Sequence, residues 1–497
     1  MSSTVTSETR PLWQRPAHEL ARGIANRDYT AVEVMTSVLE RIADVNPVIN
    51  AVCTLNPDAL DEARAVDRAL EDGALARPLE GVPFLVKDNI DTANLKTTNG
   101  SCLQQDRVPE TDEIAVRRLR DAGAILLGKT NTSEFAHDVY TTNFLFGPTR
   151  NPWQLMASPG GSSGGSGAAV AAGLAPLSLG TDFGGSVRIP ASFNGIVAIR
   201  PTPGRVPLQP QEFAWDLIVS NVIGPMCATV RDAALMLDVM SGPHVSDPSA
   251  RHTVPGCVGA IESAEAALRE GGGVSRRRIA YIPELAPLVS PSADVRRQVD
   301  RGVERLRQLG HDIDVISIDA EPLLEIIRGT RAFGVLARFD DAYDQHADRM
   351  TTALRSQIEG ARQVSMRELA SAERLRSAYW RQISDLLSDY DCLLTPTCAQ
   401  PPFALDVPDM DPAQRPGSRL LEVALFTYAF TVVGLPVIAL PCGRTPAGLP
   451  VGMQIAGRME QEAMLCALAA GYETANPECF ERPVIDVRQA KPVAGAH

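Results

Sequence analysis

Three short segments of this 497-residue sequence combine residue types that can do chemistry. The first is Gly81-Val-Pro-Phe-Leu-Val-Lys87-Asp88-Asn89, in which a lysine follows an apolar run. The second is Ser158-Pro-Gly160-Gly-Ser162-Ser163-Gly-Gly165-Ser166, and the third is Leu179-Gly-Thr181-Asp182-Phe183-Gly184-Gly185-Ser186-Val-Arg188-Ile-Pro190. Singly, each has an ordinary explanation. Lys87 could snorkel from a strand end, a Gly/Ser loop is usually a turn, and Ser186 could be the N-cap of the next helix. Jointly they suggest acyl transfer. Glycines let backbone N–H groups converge on one point, so Phe183-Gly184-Gly185-Ser186 can cradle a developing oxyanion. A serine nucleophile needs a base, and a desolvated lysine can serve because burial leaves its amine neutral. Lysine is also rare here: of 47 basic residues only Lys87, Lys96, Lys129 and Lys491 are lysines.

Two familiar expressions match by letter and fail on context. Gly123-Ala-Ile-Leu-Leu-Gly128-Lys129-Thr130 fits the Walker A pattern, but Ala-Ile-Leu-Leu is a buried-strand sequence rather than a loose phosphate-binding turn. Gly160-Gly-Ser162-Ser-Gly164 satisfies GxSxG, yet a nucleophile elbow follows a hydrophobic strand, and Leu-Met-Ala-Ser-Pro precedes this one. Neither His244, in a Pro-flanked loop, nor His311, opening a strand-like run, stands out as a triad partner among the seven histidines. No HExxH occurs and the histidines are isolated from one another, so no metal and no cofactor is expected.

Composition narrows the function classes. A net charge of −13 and a pI near 5.2 argue against a nucleic-acid partner. The nine dispersed cysteines lack a CxxC pair and read as reduced thiols. The first residues carry no signal-peptide core, and Gly167 to Gly180 is too short and small to span a bilayer. A cytoplasmic location without membrane attachment is the expectation.

The elements that must position these segments follow from periodicity. Residues 1–75 read as helices. Thr30 and Glu33 form a capping box ahead of Met35, Val38, Leu39 and Ile42, and a second helix after Pro57 carries Ala59, Ala63, Val66 and Leu70. Val82–Val86 and Ala124–Leu127 are strand candidates, separated by a helix that Asp112 can cap and Gly123 can stop. Residues 278–282, 292–309 and 311–318 form a β-α-β unit, and helical patterns follow around 320–345 and 365–388. Residues 392–396, 437–441 and 451–457 read as returning core strands. This alternation predicts an α/β fold with a central mixed or parallel sheet. One domain is expected, in four stretches: an N-terminal helical segment (1–75), a core (76–245), a variable, mainly helical insertion (246–390) and a C-terminal return to the sheet (391–497).

The three segments resemble those of the amidase signature family, whose members share a Ser–Ser–Lys triad. The resemblance runs from about residue 16 to 240 and resumes near 390–470, through GAILLGKTNTSEF (123–135), FGPTRNPW (146–153), IPASFNGIVAIRPTPGRV (189–206) and GLPVGMQIAG (448–457). It implies one large α/β domain whose central mixed sheet is covered by helices on both faces. It makes Ser186 the nucleophile, Ser162 the proton-relaying serine held through a cis peptide, and Lys87 the base. The N–H groups of Phe183, Gly184, Gly185 and Ser186 correspond to the oxyanion hole, and Ser163, Asp182 and Arg188 to supporting hydrogen bonders. Phe183 departs from the family pattern, since many members carry a small polar residue there.

The implied activity is hydrolysis of a C–N bond other than a peptide bond, in a small-molecule amide, anilide, cyclic amide or carbamate, without a cofactor. By position, Ala136, His137 and Asp138 line the pocket mouth, and the stretch Arg331–Phe339 covers it. The resemblance also allows a homodimer. The family includes the ammonia-delivering A subunit of glutamyl-tRNA amidotransferase. That protein typically carries Gln after the Arg of its SIRQP-like segment, where Ile189 follows Arg188 here.

Overall fold

The apolar runs assemble into one mixed sheet with helices on both sides. The structure is a computed structural model that describes residues 10–209, 221–252, 255–269, 275–405 and 420–487. Its strands, in chain order, are β1 (Val52–Leu55), β2 (Pro83–Lys87), β3 (Ile125–Thr130), β4 (Leu177–Asp182), β5 (Val197–Arg200), β6 (Val222–Cys227), β7 (Arg278–Tyr281), β8 (Asp312–Val315), β9 (Cys392–Pro396), β10 (Val437–Arg444) and β11 (Pro450–Gly457). Across the sheet they run β1-β3-β2-β4-β6-β5-β10-β11-β9-β7-β8. The β3-β2-β4 group is parallel, as is β9-β7-β8, and the strands from β4 through β6, β5, β10 and β11 to β9 pair antiparallel. This is the single-domain α/β architecture with a mixed sheet that the family resemblance implies.

Every residue of β2, β3, β4, β9 and β11 is buried. Continuous apolar runs of this kind belong to strands covered on both faces. The helix Ala31–Ile49 begins with the expected Thr30–Glu33 capping box, and Val34, Met35, Val38 and Ile42 are buried. Two expectations need correction here. The first 75 residues are not all helical: Val52–Leu55 forms β1, antiparallel to β3, directly after the helix ends at left-handed Asn50. Asp112 does not cap the helix Ile114–Asp121. Glu113 is the N-cap, accepting the Ile114 N–H, while Asp112 accepts the Ala93 N–H and pairs with Arg120.

The Walker-like run becomes β3, and Lys129 lies buried within it. Its Nζ donates to Ile90 O at 2.5 Å, Thr92 Oγ1 at 2.8 Å and Thr97 Oγ1 at 2.9 Å, strapping the 90–97 loop to the sheet.

The small-residue helix Gly164–Ala172 is buried along its whole length and packs against the sheet. The reason for its composition is visible at Gly165, where a Cβ would lie 2.4 Å from Asn131 O. Only glycine permits that approach, and the approach sets the depth of the Ser158–Ser163 loop that precedes the helix.

Candidate active site

Lys87 ends β2, and the parallel register that sets Val86 opposite Leu179 brings it alongside the end of β4. There Lys87 Nζ donates to Ser162 Oγ at 2.7 Å and to Thr181 Oγ1 at 2.8 Å. Asn89 Nδ2 donates to the same Thr181 hydroxyl at 3.1 Å. The carboxyl ends of parallel strands are where α/β sheets gather reactive groups. Burial drives the Lys87 ammonium well below the usual lysine range, with the Asp182 charge opposing that shift. Of the two buried lysines among the described residues, Lys87 and Lys129, only the Lys87 amine hydrogen-bonds to a serine of these loops.

The Ser162 loop is fixed from several sides. The Gly161–Ser162 peptide is cis. Thr141 Oγ1 donates to Gly160 O at 2.9 Å and accepts the Gly164 N–H at 3.1 Å. Ser163 N–H donates to Ser186 O at 3.2 Å and Ser163 Oγ to Thr181 O at 3.3 Å, tying the two serine loops together.

Ser186 differs from Ser162 in exposure. Ser162 is fully buried, whereas Ser186 is half-buried and lines a cavity of about 250 Å³ together with Thr181, Phe183 and Gly184. Among the described residues, the Ser186 hydroxyl makes no hydrogen bond, to Ser162 or to any other group. The structure thus holds the Lys87–Ser162 contact of the expected relay without a Ser162–Ser186 hydroxyl bond. Ser186 instead lines the cavity.

Asp182 organises the turn that carries Ser186. It is buried, and it accepts from Arg188 Nε at 2.9 Å, Arg188 Nη2 at 2.9 Å and Arg200 Nη1 at 3.2 Å. Burial pushes its carboxyl up, but the two guanidiniums outweigh burial and hold it well below the usual carboxylate range. Arg188 also donates to Thr427 O, Thr431 Oγ1 and Gln454 Oε1, which ties the turn to the helix Leu420–Thr431 and to β11.

The same carboxylate changes the expected oxyanion hole. Gly185 N–H donates to Asp182 Oδ1 at 2.8 Å, so this donor is already engaged. Gly185 has φ +123°, and a Cβ there would lie 2.2 Å from Thr427 Oγ1. The N–H groups of Phe183, Gly184 and Ser186 have no acceptor among the described residues and remain the available donors.

Ala136, His137 and Asp138 line the cavity, and Arg331, Val335 and Phe339 lie on its wall. Phe135 and Ala136, within this lining stretch, adopt positive φ (46° and 62°). Burial and the nearby Arg331 hold His137 down to about 3, so its ring is neutral and Nδ1–H donates to Phe135 O at 2.6 Å. Asp138 Oδ1 accepts the Val139 N–H at 2.7 Å. Sequence reasoning did not single out Thr181, Arg200, Thr427 or Gln454. The last two lie more than 240 positions from Asp182, and nothing local marks them.

The family profile described as Amidase matches residues 33–466. An acylamidase of Rhodococcus erythropolis is 34% identical over 479 residues, covering 94% of this chain and 96% of that protein. The A subunit of the glutamyl-tRNA(Gln) amidotransferase of Moorella thermoacetica is 33% identical over 504 residues, covering 96% and 99%. A crystal structure of a bacterial aryl acylamidase of the amidase signature family superimposes with a TM-score of 0.86 at 25% identity, covering 97% of this chain and 100% of that one.

Proposed function

This chain belongs to the amidase family, a hydrolase acting on amide C–N bonds, and from that premise we propose that Ser186 forms an acyl-enzyme with Lys87 and Ser162 as its proton relay. The observation that carries the assignment is the division of labour between two serines. One is sealed against a buried amine at 2.7 Å, and the other opens on the cavity.

In this reading neutral Lys87 accepts the Ser162 proton while Ser162 accepts that of Ser186, once the two hydroxyls come within hydrogen-bond reach. Ser186 Oγ attacks the carbonyl carbon, and the oxyanion is met by the N–H groups of Phe183, Gly184 and Ser186. Each such donor is typically worth about 3 kcal/mol of transition-state stabilisation. The proton returns along the relay to the departing nitrogen, and water then attacks the ester by the same path. Asn89 and Thr181 hold the Lys87 amine in place. Asp182, Arg188 and Ser163 hold the turn and position the donors without touching substrate. Ala136, His137 and Asp138 frame the substrate at the opening.

The reading is tested by treating the purified protein with a fluorophosphonate and mapping the labelled peptide. Attachment at Ser186 is expected, lost in Ser186→Ala and slowed in Lys87→Ala. Attachment within 158–166 would overturn it.

A second reading, an ammonia-delivering component of a larger complex, is favoured by the 33% identity to the A subunit of an amidotransferase. Glutamine hydrolysis that requires added partner proteins would select it. Turnover of anilides by the isolated chain selects the free-standing amidase. Nine free cysteines suit a reducing compartment such as the cytoplasm. Among the described residues no helix is long and apolar enough to cross a membrane.

A further inference from the structure

The cavity that Ser186 lines also carries a guanidinium that makes no ion pair among the described residues. Arg331, on the helix Leu323–His346, is half-buried and lines the cavity. One Nη1 hydrogen goes to the Tyr428 hydroxyl and one Nη2 hydrogen to Gln357 Oε1. Both acceptors are neutral, and among the described residues no carboxylate lies within ion-pairing distance of this guanidinium. The second hydrogen on each Nη, and Nε–H, remain to be satisfied.

The group is also held still. Its carbon lies 5.5 Å from the centre of the Phe183 ring and 6.0 Å from that of Tyr428. Phe183 heads the turn that ends at Ser186, and the Tyr428 ring packs against Gly184, where a Cβ would lie 2.3 Å from Tyr428 Cζ. The guanidinium is thus clamped by the same residues that shape the nucleophile turn. The two carboxylates that line the cavity, Asp138 and Glu113, make no ion pair with it; Asp138 Oδ1 accepts the Val139 N–H, and Glu113 Oε1 accepts the Ile114 and Gln209 N–H groups. A partly desolvated guanidinium with fixed orientation and unused parallel donors matches a planar carboxylate.

We propose that Arg331 is a specificity-determining residue, and that the substrate is an amide bearing a carboxylate that pairs with Arg331 while its scissile carbonyl lies at Ser186. The inference rests on the acyl-enzyme reading above. Phe183, where relatives of this type often carry a small polar residue, then acts as a platform under the guanidinium rather than as an aryl-binding surface.

The test compares ω-carboxyacyl p-nitroanilides, from succinyl through glutaryl to adipoyl, with their carboxamide isosteres, reading nitroaniline release. A charge-assisted pair predicts that at one chain length the carboxylate compound is favoured in kcat/KM by about tenfold or more. The preference is expected to sit mainly in KM, to fall to about one in Arg331→Met and to be partly kept in Arg331→Lys. Equal or better turnover of the carboxamide at every length overturns the proposal, as does a preference unchanged in Arg331→Met. If Arg331→Met does not fold, as judged by its thermal melt, inhibition of the wild-type protein decides. Glutarate or its neighbours should compete where glutaramide does not, and equal inhibition by both overturns the proposal. Fluorophosphonate labelling of Ser186 separates the two layers. Labelling and anilide turnover without carboxylate preference overturn the Arg331 assignment alone, whereas neither labelling nor turnover overturns both.

Discussion

Lys87 Nζ lies 2.7 Å from Ser162 Oγ, and neither side chain reaches solvent. A lysine in that position has lost its hydration and, apart from the opposing Asp182 charge, has only neutral hydroxyls in exchange, so its neutral form is favoured. In the proposed relay, the neutral amine at this contact is the group that receives the Ser162 proton.

The pH dependence follows with a fixed sign. A base works only when unprotonated, so kcat/KM should fall as pH drops through the depressed Lys87 value and reach a plateau above it. The acidic limb belongs to the coupled Lys–Ser relay rather than to one isolated group. Lys87→Ala should lose turnover by about 10⁴-fold or more, and the Lys87→Ala/Ser162→Ala double variant should be little worse than either single one, because residues acting as a unit are non-additive. Stopped assays on one activated anilide across pH check this. Near-wild-type activity in Lys87→Ala would remove Lys87 from the mechanism.

Thr181→Val should lower kcat with little change in KM. The Thr181 hydroxyl accepts from both Lys87 and Asn89, and valine keeps its shape while removing that acceptor. A buried donor left unsatisfied costs about 1–3 kcal/mol, equivalent to roughly 5–150-fold in rate if the loss falls on the transition state. A rise in KM alone would place Thr181 in substrate binding instead.

Asp182→Asn should destabilise the fold by about 3–5 kcal/mol at neutral pH, because Arg188 and Arg200 would keep their charges without the shared carboxylate. The folded carboxyl is depressed, so its contribution is complete above the ordinary unfolded value. It is lost as pH falls through that value toward the folded one. Urea midpoints measured from pH 7 to pH 3 should therefore show the gap between wild type and variant narrowing only at the acidic end. A gap that is small at pH 7, or constant with pH, would contradict the ion-pair account.

The sequence marked Lys87, Ser162 and Ser186 as candidates because the glycines around the two serines permit backbone conformations and close approaches that other residues do not, and because Lys87 closes an apolar run in a lysine-poor chain. It carried β2, β3, β7 and β9–β11 for the same reason that they are buried: uninterrupted apolar stretches. It hid β6, whose apolar run is interrupted by Gly224 and Pro225 although the strand lies between β4 and β5. A Cβ at Gly224 would lie 2.2 Å from Ile199 O, so the glycine serves strand approach rather than a bend. Thr181 was invisible as a Lys87 partner because that pairing depends on the β2–β4 register. The commitment of Gly185 N–H to Asp182 depends on a side-chain position that no spacing specifies.

Lys129 provides the contrast that isolates Lys87. Burial pushes it down as well, to about 8, yet its amine faces Ile90 O, Thr92 and Thr97 rather than a serine. Lys129→Met preserves apolar packing but leaves those acceptors without a donor, and should lower stability by about 2–3 kcal/mol. It should do so without moving the acidic limb of the pH–rate profile, since the strap it forms reaches no group of the relay. Denaturation midpoints and kcat/KM profiles of Lys129→Met and wild type, taken side by side, separate the two roles. A displaced acidic limb in Lys129→Met would mean that the titration attributed to Lys87 is shared with, or belongs to, the second buried lysine. A stable variant with an unchanged profile would show that the 90–97 loop is held by its backbone contacts alone.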